Sequence, residues 1–183
     1  MKKIFIIAVL LVVTGTGFLT SCSHIPEKAT PISDFDANRY LGTWYEIARF
    51  DYRFEKNLDN VTARYSLLDN GDIKVFNSGY DYVKNEWKSS TGSARFREDK
   101  NIAALKVTFF KPFYSGYNVV ALDDNYQYAM VAGKNLEYLW LLSREKTMPE
   151  DIKKQYLKKA EEIGYDTSGL IWVKQDKDSP LIK

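Results

Sequence analysis

His24 and Cys22 are the only histidine and the only cysteine in the sequence, and both precede any segment with the pattern of a folded domain. A nucleophile–histidine–carboxylate site needs an imidazole beside the nucleophile, so Ser-His-Asp and Cys-His catalysis are excluded from a downstream domain. Carboxylates remain. Glu46 stands in an apolar-rich run, YLGTWYEIARF, residues 40–50, with Arg49 three positions on. A carboxylate among core residues must be paired, hydrogen-bonded or protonated. Arg64, Arg95 and a tyrosine are the candidate partners, and acid/base work with tyrosines is the catalytic alternative. The acidic pairs Asp123/Asp124 and Glu161/Glu162 read as turn and solvated-face charges, so no metal site is expected. No phosphate-binding glycine loop occurs, and no cofactor is expected.

Cys22 has a different chemistry. Met1-Lys2-Lys3 is a short basic segment, and Ile4 to Phe18 is an apolar stretch of secretory type. A bilayer-spanning helix needs about 20 apolar residues, which this stretch falls short of. LTSC, residues 19–22, follows it and resembles the bacterial lipobox, in which the cysteine is acylated and becomes the new N-terminus. The expectation is a signal peptide over 1–21, a lipidated tether over 22–35 with Pro26 and Pro31, a domain over 36–176 and a tail over 177–183. Ser23 stands where an aspartate would signal retention in the inner membrane, which favours the outer membrane, facing the periplasm. Removing residues 1–21 from the 183 leaves 162, enough for one domain with its own core. It also removes Lys2 and Lys3, taking the formal charge from +2 to zero. Such a chain has no electrostatic reason to seek nucleic acid.

Downstream of the tether, short β-type runs alternate with turn signals. Strands are expected at 40–50, 61–68, 73–80, 86–96, 103–110, 117–122, 128–132 and 138–143, the spacing of an all-β sandwich or barrel. Asn70-Gly71 is a hairpin signal between two of them. Thr147-Met148-Pro149-Glu150 has the form of a capping box. Ile152, Tyr156, Ala160 and Ile163 then make one helical stripe, closed by Gly164 as a left-handed cap. LIWVK, residues 170–174, reads as a final edge strand.

Gly42-Thr43-Trp44 in the first strand, Asp123/Asp124 before Tyr126, and Arg144 after the eighth strand resemble the three signature regions of the lipocalins. The similarity extends through GTWYEIAR, NVTARYSLLDNG, KVTFFKPFYSGYNVVALD, YLWLLSR and IWVKQ. The resemblance implies an all-β fold, an eight-stranded antiparallel up-and-down barrel with a C-terminal helix packed outside and a short last strand. It also implies a structural role for Gly42, Trp44, Asp124, Tyr126 and Arg144. Trp44 would seal one end, with Arg144 lying across its indole.

A barrel of this size holds one small ligand. Alternation along the strands assigns Val61, Ala63, Tyr65, Val75, Asn77, Phe96, Val107, Phe109, Tyr138, Trp140 and Leu142 to a ligand-contacting interior. Leu139 and Leu141 would face the helix, and with Trp44 inward, Glu46 and Ala48 would be inward too. Small residues (Ala63, Gly92, Ala94) beside aromatics suggest unfilled room. The function this implies is binding of a fatty acid or lysophospholipid for storage or transport in the cell envelope. A lipid-modifying enzyme using Glu46 and a structural envelope protein with a filled barrel are the alternatives, and a homodimer is left open.

Overall fold

The structure, a computed structural model, describes residues 25–182. Its eight main strands are β1 (Gly42–Arg49), β2 (Leu58–Leu67), β3 (Ile73–Asp81), β4 (Glu86–Phe96), β5 (Ala104–Phe110), β6 (Phe113–Leu122), β7 (Tyr128–Ala132) and β8 (Leu139–Ser143). Each pairs antiparallel with the next, and β1 pairs with both β2 and β8, so the sheet closes into a barrel. Two helices, α1 (Ala37–Tyr40) and α2 (Glu150–Ile163), and a two-residue strand β9 (Ile171–Trp172) complete it. Up-and-down order puts the β1–β2, β3–β4, β5–β6 and β7–β8 connections at one end, which is open. The β2–β3, β4–β5 and β6–β7 connections share the opposite end with α1, which is closed.

Two apolar clusters follow from strand alternation. The inner one runs from Phe35, Tyr40 and Trp44 through Tyr65, Val75, Leu105 and Val131 to Leu142. The outer one joins Val120, Met130, Leu139 and Leu141 to Met148 and to Tyr156, Ala160 and Ile163 of α2. Hydroxyls fasten this second layer: Tyr156 donates to the Tyr128 carbonyl and Tyr165 to the Tyr138 carbonyl, both at 2.9 Å.

Alternation breaks at one informative place. Glu46 pairs with Leu142 but Ala48 pairs with Leu141, a β-bulge on β1. One extra residue reverses the facing of everything beyond it. Ile47 and Ala48 therefore both join the helix-side cluster, and Ala48 is not inward as expected. Arg49, opposite Trp140, takes the inward place.

The capping box does not form. Pro149 itself is the N-cap residue, with φ −56° and ψ 146°, and no side chain caps the helix. Thr147 lies too early, and its carbonyl accepts from Ser143 Oγ at 2.8 Å. At the other end Gly164 adopts φ +114° and its N–H reaches the Ala160 and Glu161 carbonyls. The final strand is shorter than the expected 170–174 and pairs only with Ala48 and Arg49 of β1.

The expected tether is also shorter than 22–35. Ala29 is buried in the helix-side cluster, with Ile25 packed against it. Ile32 accepts from the Ala103 N–H and donates to the Val119 carbonyl, and Phe35 enters the inner cluster. The stretch thus reads as tether by its prolines yet packs by its apolar residues. The signal peptide and Cys22 lie outside the described residues.

Candidate functional site

The closed end is built around Trp44, which is fully buried. Its Nε1 donates to the Tyr40 carbonyl at 2.9 Å, and the Arg144 guanidinium stands 3.9 Å from the ring centroid. Such a cation–π contact contributes about 0.5–2 kcal/mol. The same guanidinium donates to the carbonyls of Thr43, Arg39, Tyr40 and Tyr126, tying α1, β1 and the β6–β7 turn together. Gly42 has φ +96°, and a Cβ there would stand 3.2 Å from Arg144 Nη1. Both facts call for glycine. In the β6–β7 turn the organising carboxylate is that of Asp123, which accepts from the backbone N–H groups of Asn125, Gln127 and Tyr128. Asp124 contributes only its carbonyl, to Arg39 Nη2 at 2.7 Å. The neighbouring Tyr126 receives the Asp36 N–H on its hydroxyl and the Arg39 guanidinium on its ring.

Above Trp44 lies a floor of tyrosines. Tyr117 joins Tyr40 and Tyr65 through hydroxyl contacts of 2.8 and 2.9 Å. Burial raises the pKa of all three hydroxyls, so they stay protonated hydrogen-bonding groups. The space they enclose with Phe35, Val75, Ala94 and Leu105 is about 10 Å³, room for one water and no acyl chain. The lower half of the barrel is filled by its own side chains, contrary to the expectation of unfilled room beside Ala94. Phe96, 6.2 Å from Phe35, belongs to this plug, and Tyr65, Val75 and Leu142 are buried floor residues.

The upper half differs. Ala63, Asn77, Val107 and Trp140 face inward by register and are only partly buried, Ala63 beside Trp44 and Val107 beside Ala94 where the floor ends and Trp140 toward the mouth beside Arg49. Phe109 lies across Gly92 at the mouth and is 45% exposed. The Thr108 carbonyl and this ring take the place a Gly92 side chain would need, so Gly92 leaves no void. Val61 is buried over Gly79 beside Leu58. Tyr138 precedes β8 and stacks on Tyr52 at 5.2 Å. Asn77 Oδ1 is buried on this wall without a hydrogen-bond partner. The predicted lining thus divides into a buried floor and a partly exposed upper cup.

One wall of the cup carries the charge cluster that alternation missed. Arg49 Nε stands 2.9 Å from Glu46 Oε1, a contact ion pair whose N–H points off the carboxylate oxygen. Its other nitrogens donate to the carbonyls of Phe50, Glu55 and Leu58. Glu55 Oε2 accepts from Trp140 Nε1 at 3.3 Å. The partner of Glu46 is therefore neither Arg64, which is exposed, nor Arg95, which lies over Tyr114. Burial, then the Glu55 charge, push the Glu46 carboxyl well above its ordinary range against the pull of Arg49. Burial likewise pushes Glu55 up to about 7. Tyr52, whose hydroxyl donates to the Leu139 carbonyl and accepts its N–H, pins the same β1–β2 loop. Arg49 holds that loop over one side of the mouth. Only its charge amid apolar residues hinted at this in sequence.

A Lipocalin-like domain model matches residues 35–175. Outer membrane lipoprotein Blc of Citrobacter freundii is 50% identical over 172 residues, 93% of this chain and 97% of that protein. The Vibrio cholerae protein of the same name is 45% identical over 176 residues, 96% and 99% of the two chains. Rat apolipoprotein D is 29% identical over 157 residues, 78% and 81%. Insecticyanin of the tobacco hornworm superposes with a TM-score of 0.67 at 21% identity, covering 88% of this chain and 90% of that one, which shows the fold alone. Match length, identity and a closed eight-stranded barrel with an outer helix place this chain in the lipocalin family.

Proposed function

We propose that this lipocalin carries a single-chain lipid, a fatty acid or lysophospholipid, in the upper half of its barrel, and that acylation at Cys22 anchors it to the outer membrane. The observation that carries the reading is the incomplete burial of Ala63, Val107, Phe109 and Trp140 above a closed floor. Apolar lining with a few convergent polar groups is the usual character of a small-molecule site. The filled floor bounds the affinity. Burying a methylene gains about 0.8 kcal/mol, so roughly seven methylenes in the cup gain ~6 kcal/mol gross. Association costs of about 4–15 kcal/mol would consume that, so tight binding requires the tyrosine floor to yield to a longer chain. Exchangeable binding suits a carrier.

The anchor reading is supported by the LTSC sequence after the apolar stretch and by relatives named outer membrane lipoproteins. The Glu46 enzyme reading is weakened by the geometry, since Arg49 fastens Glu46 and Glu55 to the loop. Native mass spectrometry with solvent extraction of the purified protein tests the carrier reading. A single-chain lipid, co-purified or taken up on incubation, is expected; an empty barrel that takes up none on incubation would reject it. Cys22→Ala should abolish acylation, and an unchanged lipidated mass would reject the anchor.

A further inference from the structure

The large apolar side chains left in water are concentrated at one end of the barrel. Phe54 of the β1–β2 loop is 64% exposed, and Phe110 and Phe113 beside the β5–β6 turn are 75% and 72% exposed. Tyr82 and Val83 of the β3–β4 turn and Leu136 of the β7–β8 turn are exposed too. All four connections of the open end thus carry such a tip; among the described residues the closed end shows only Leu67 and Leu68, and Ile171, Trp172 and Leu181 lie on the C-terminal segment. Phe54 is braced by stacking on buried Tyr52 at 5.2 Å, and Phe110 stacks with Phe113 at 6.4 Å. Large exposed apolar side chains gathered at one end of a domain mark a place of contact.

Charge says with what. Each of the four connections adds at least one exposed cation beside its tip: Arg53 and Lys56, Lys84, Lys111 and Lys134. Exposed acids at this end are Asp51, Glu86 and Glu137. The closed end leans the other way, with Asp69, Glu98, Asp99, Asp124 and Glu145 exposed against the exposed cations Arg39 and Lys100. Apolar tips interleaved with lysine match a membrane interface, where rings enter the headgroup region and cations meet lipid phosphates. A second copy fits less well, because an isologous contact would press basic tips against basic tips.

We propose that the open rim docks on a phospholipid bilayer containing anionic lipid, with Phe54, Phe110 and Phe113 entering the headgroup layer and the neighbouring cations binding lipid phosphates. This sets the mouth of the cup against the lipid it would load or deliver. The inference stands on the rim and not on the carrier reading.

The test uses the chain from Ser23 onward, which lacks the acylated cysteine but contains every described element. It is floated with vesicles of phosphatidylcholine alone and of phosphatidylcholine with phosphatidylglycerol. Flotation with the anionic vesicles, weakened by added salt, is expected. Phe110→Ser with Phe113→Ser should reduce partition roughly tenfold per ring, and Lys84→Ala and Lys111→Ala about fivefold each. Leu67→Ser at the closed end should change nothing. Circular dichroism identifies any variant that fails to fold, and the lysine variants then decide. Absence of flotation by the parent, or equal flotation by the folded rim variants, overturns the proposal. So does a parent that ignores vesicles but forms dimers which Phe110→Ser dissolves, assigning the rim to a second copy. Lipid uptake in solution, measured separately, leaves the carrier reading standing or falling on its own.

Discussion

At the closed end, every large aromatic side chain finds its partner inside the protein. Trp44 has the Tyr40 carbonyl and the Arg144 guanidinium, and Tyr40, Tyr65 and Tyr117 satisfy one another's hydroxyls. At the open end, Trp140, Phe109, Phe110 and Phe113 remain partly or largely in water, and Asn77 Oδ1 is unpaired. The same strands build both halves, so the contrast is one of side-chain satisfaction and not of backbone architecture. Polar groups are matched throughout the closed end, and buried Asn77 Oδ1 at the other is not.

The comparison breaks most visibly at Trp44. Trp44→Ala should cost about 3–5 kcal/mol in denaturant unfolding, because it removes a buried ring and leaves Arg144 without its face. A loss below 1 kcal/mol would show that the closed end is not the stabilising half.

Arg49→Ala should come next, at roughly 2–4 kcal/mol. It strands two buried carboxylates, but Glu46 and Glu55 are already biased toward protonation, which softens the loss. Its diagnostic is local. Amide exchange should accelerate over residues 50–57 and not in α1; acceleration in both would make the mouth loop part of the global fold.

The pH dependence sharpens the contrast further. Glu55 is held at about 7 in the fold against an ordinary 4.5. Below 4.5 both states carry the proton, and between 4.5 and 7 the unfolded chain releases it first. Stability therefore declines as pH rises through this window, by about 3 kcal/mol in all. Glu55→Gln should flatten that slope; an unchanged slope would place the titration elsewhere.

The smallest expected effect concerns α2. With no side-chain cap at Pro149, Thr147→Ala should alter stability by less than about 0.5 kcal/mol. A loss above 1 kcal/mol would mean that the threonine caps the helix in solution.

These predictions also mark what was legible in the sequence. Alternation, hairpin signals and the late helical stripe reported backbone class and strand order, because each is written locally. The bulge at Ile47–Ala48 was not, since one inserted residue leaves the composition of β1 intact while reversing the faces beyond it. Ala48 was therefore misplaced and Arg49 overlooked as the partner of Glu46. Asp123 and Asp124 are adjacent and chemically alike, and only the turn geometry shows which carboxylate collects three N–H groups. The small residues that suggested empty space failed for a related reason. Gly92 is filled from across the barrel by Thr108 and Phe109, which sequence spacing does not reveal. The prolines of the N-terminal segment advertised a tether, but its apolar residues find the barrel wall.

The division into a filled lower half and a receptive upper half is tested most directly by titrating the protein with a brominated lysophospholipid while following tryptophan emission. Quenching should arise at Trp140, in the cup, and disappear in Trp140→Phe while lipid uptake persists. An identical quenching curve in Trp140→Phe would contradict a ligand seated in the upper half.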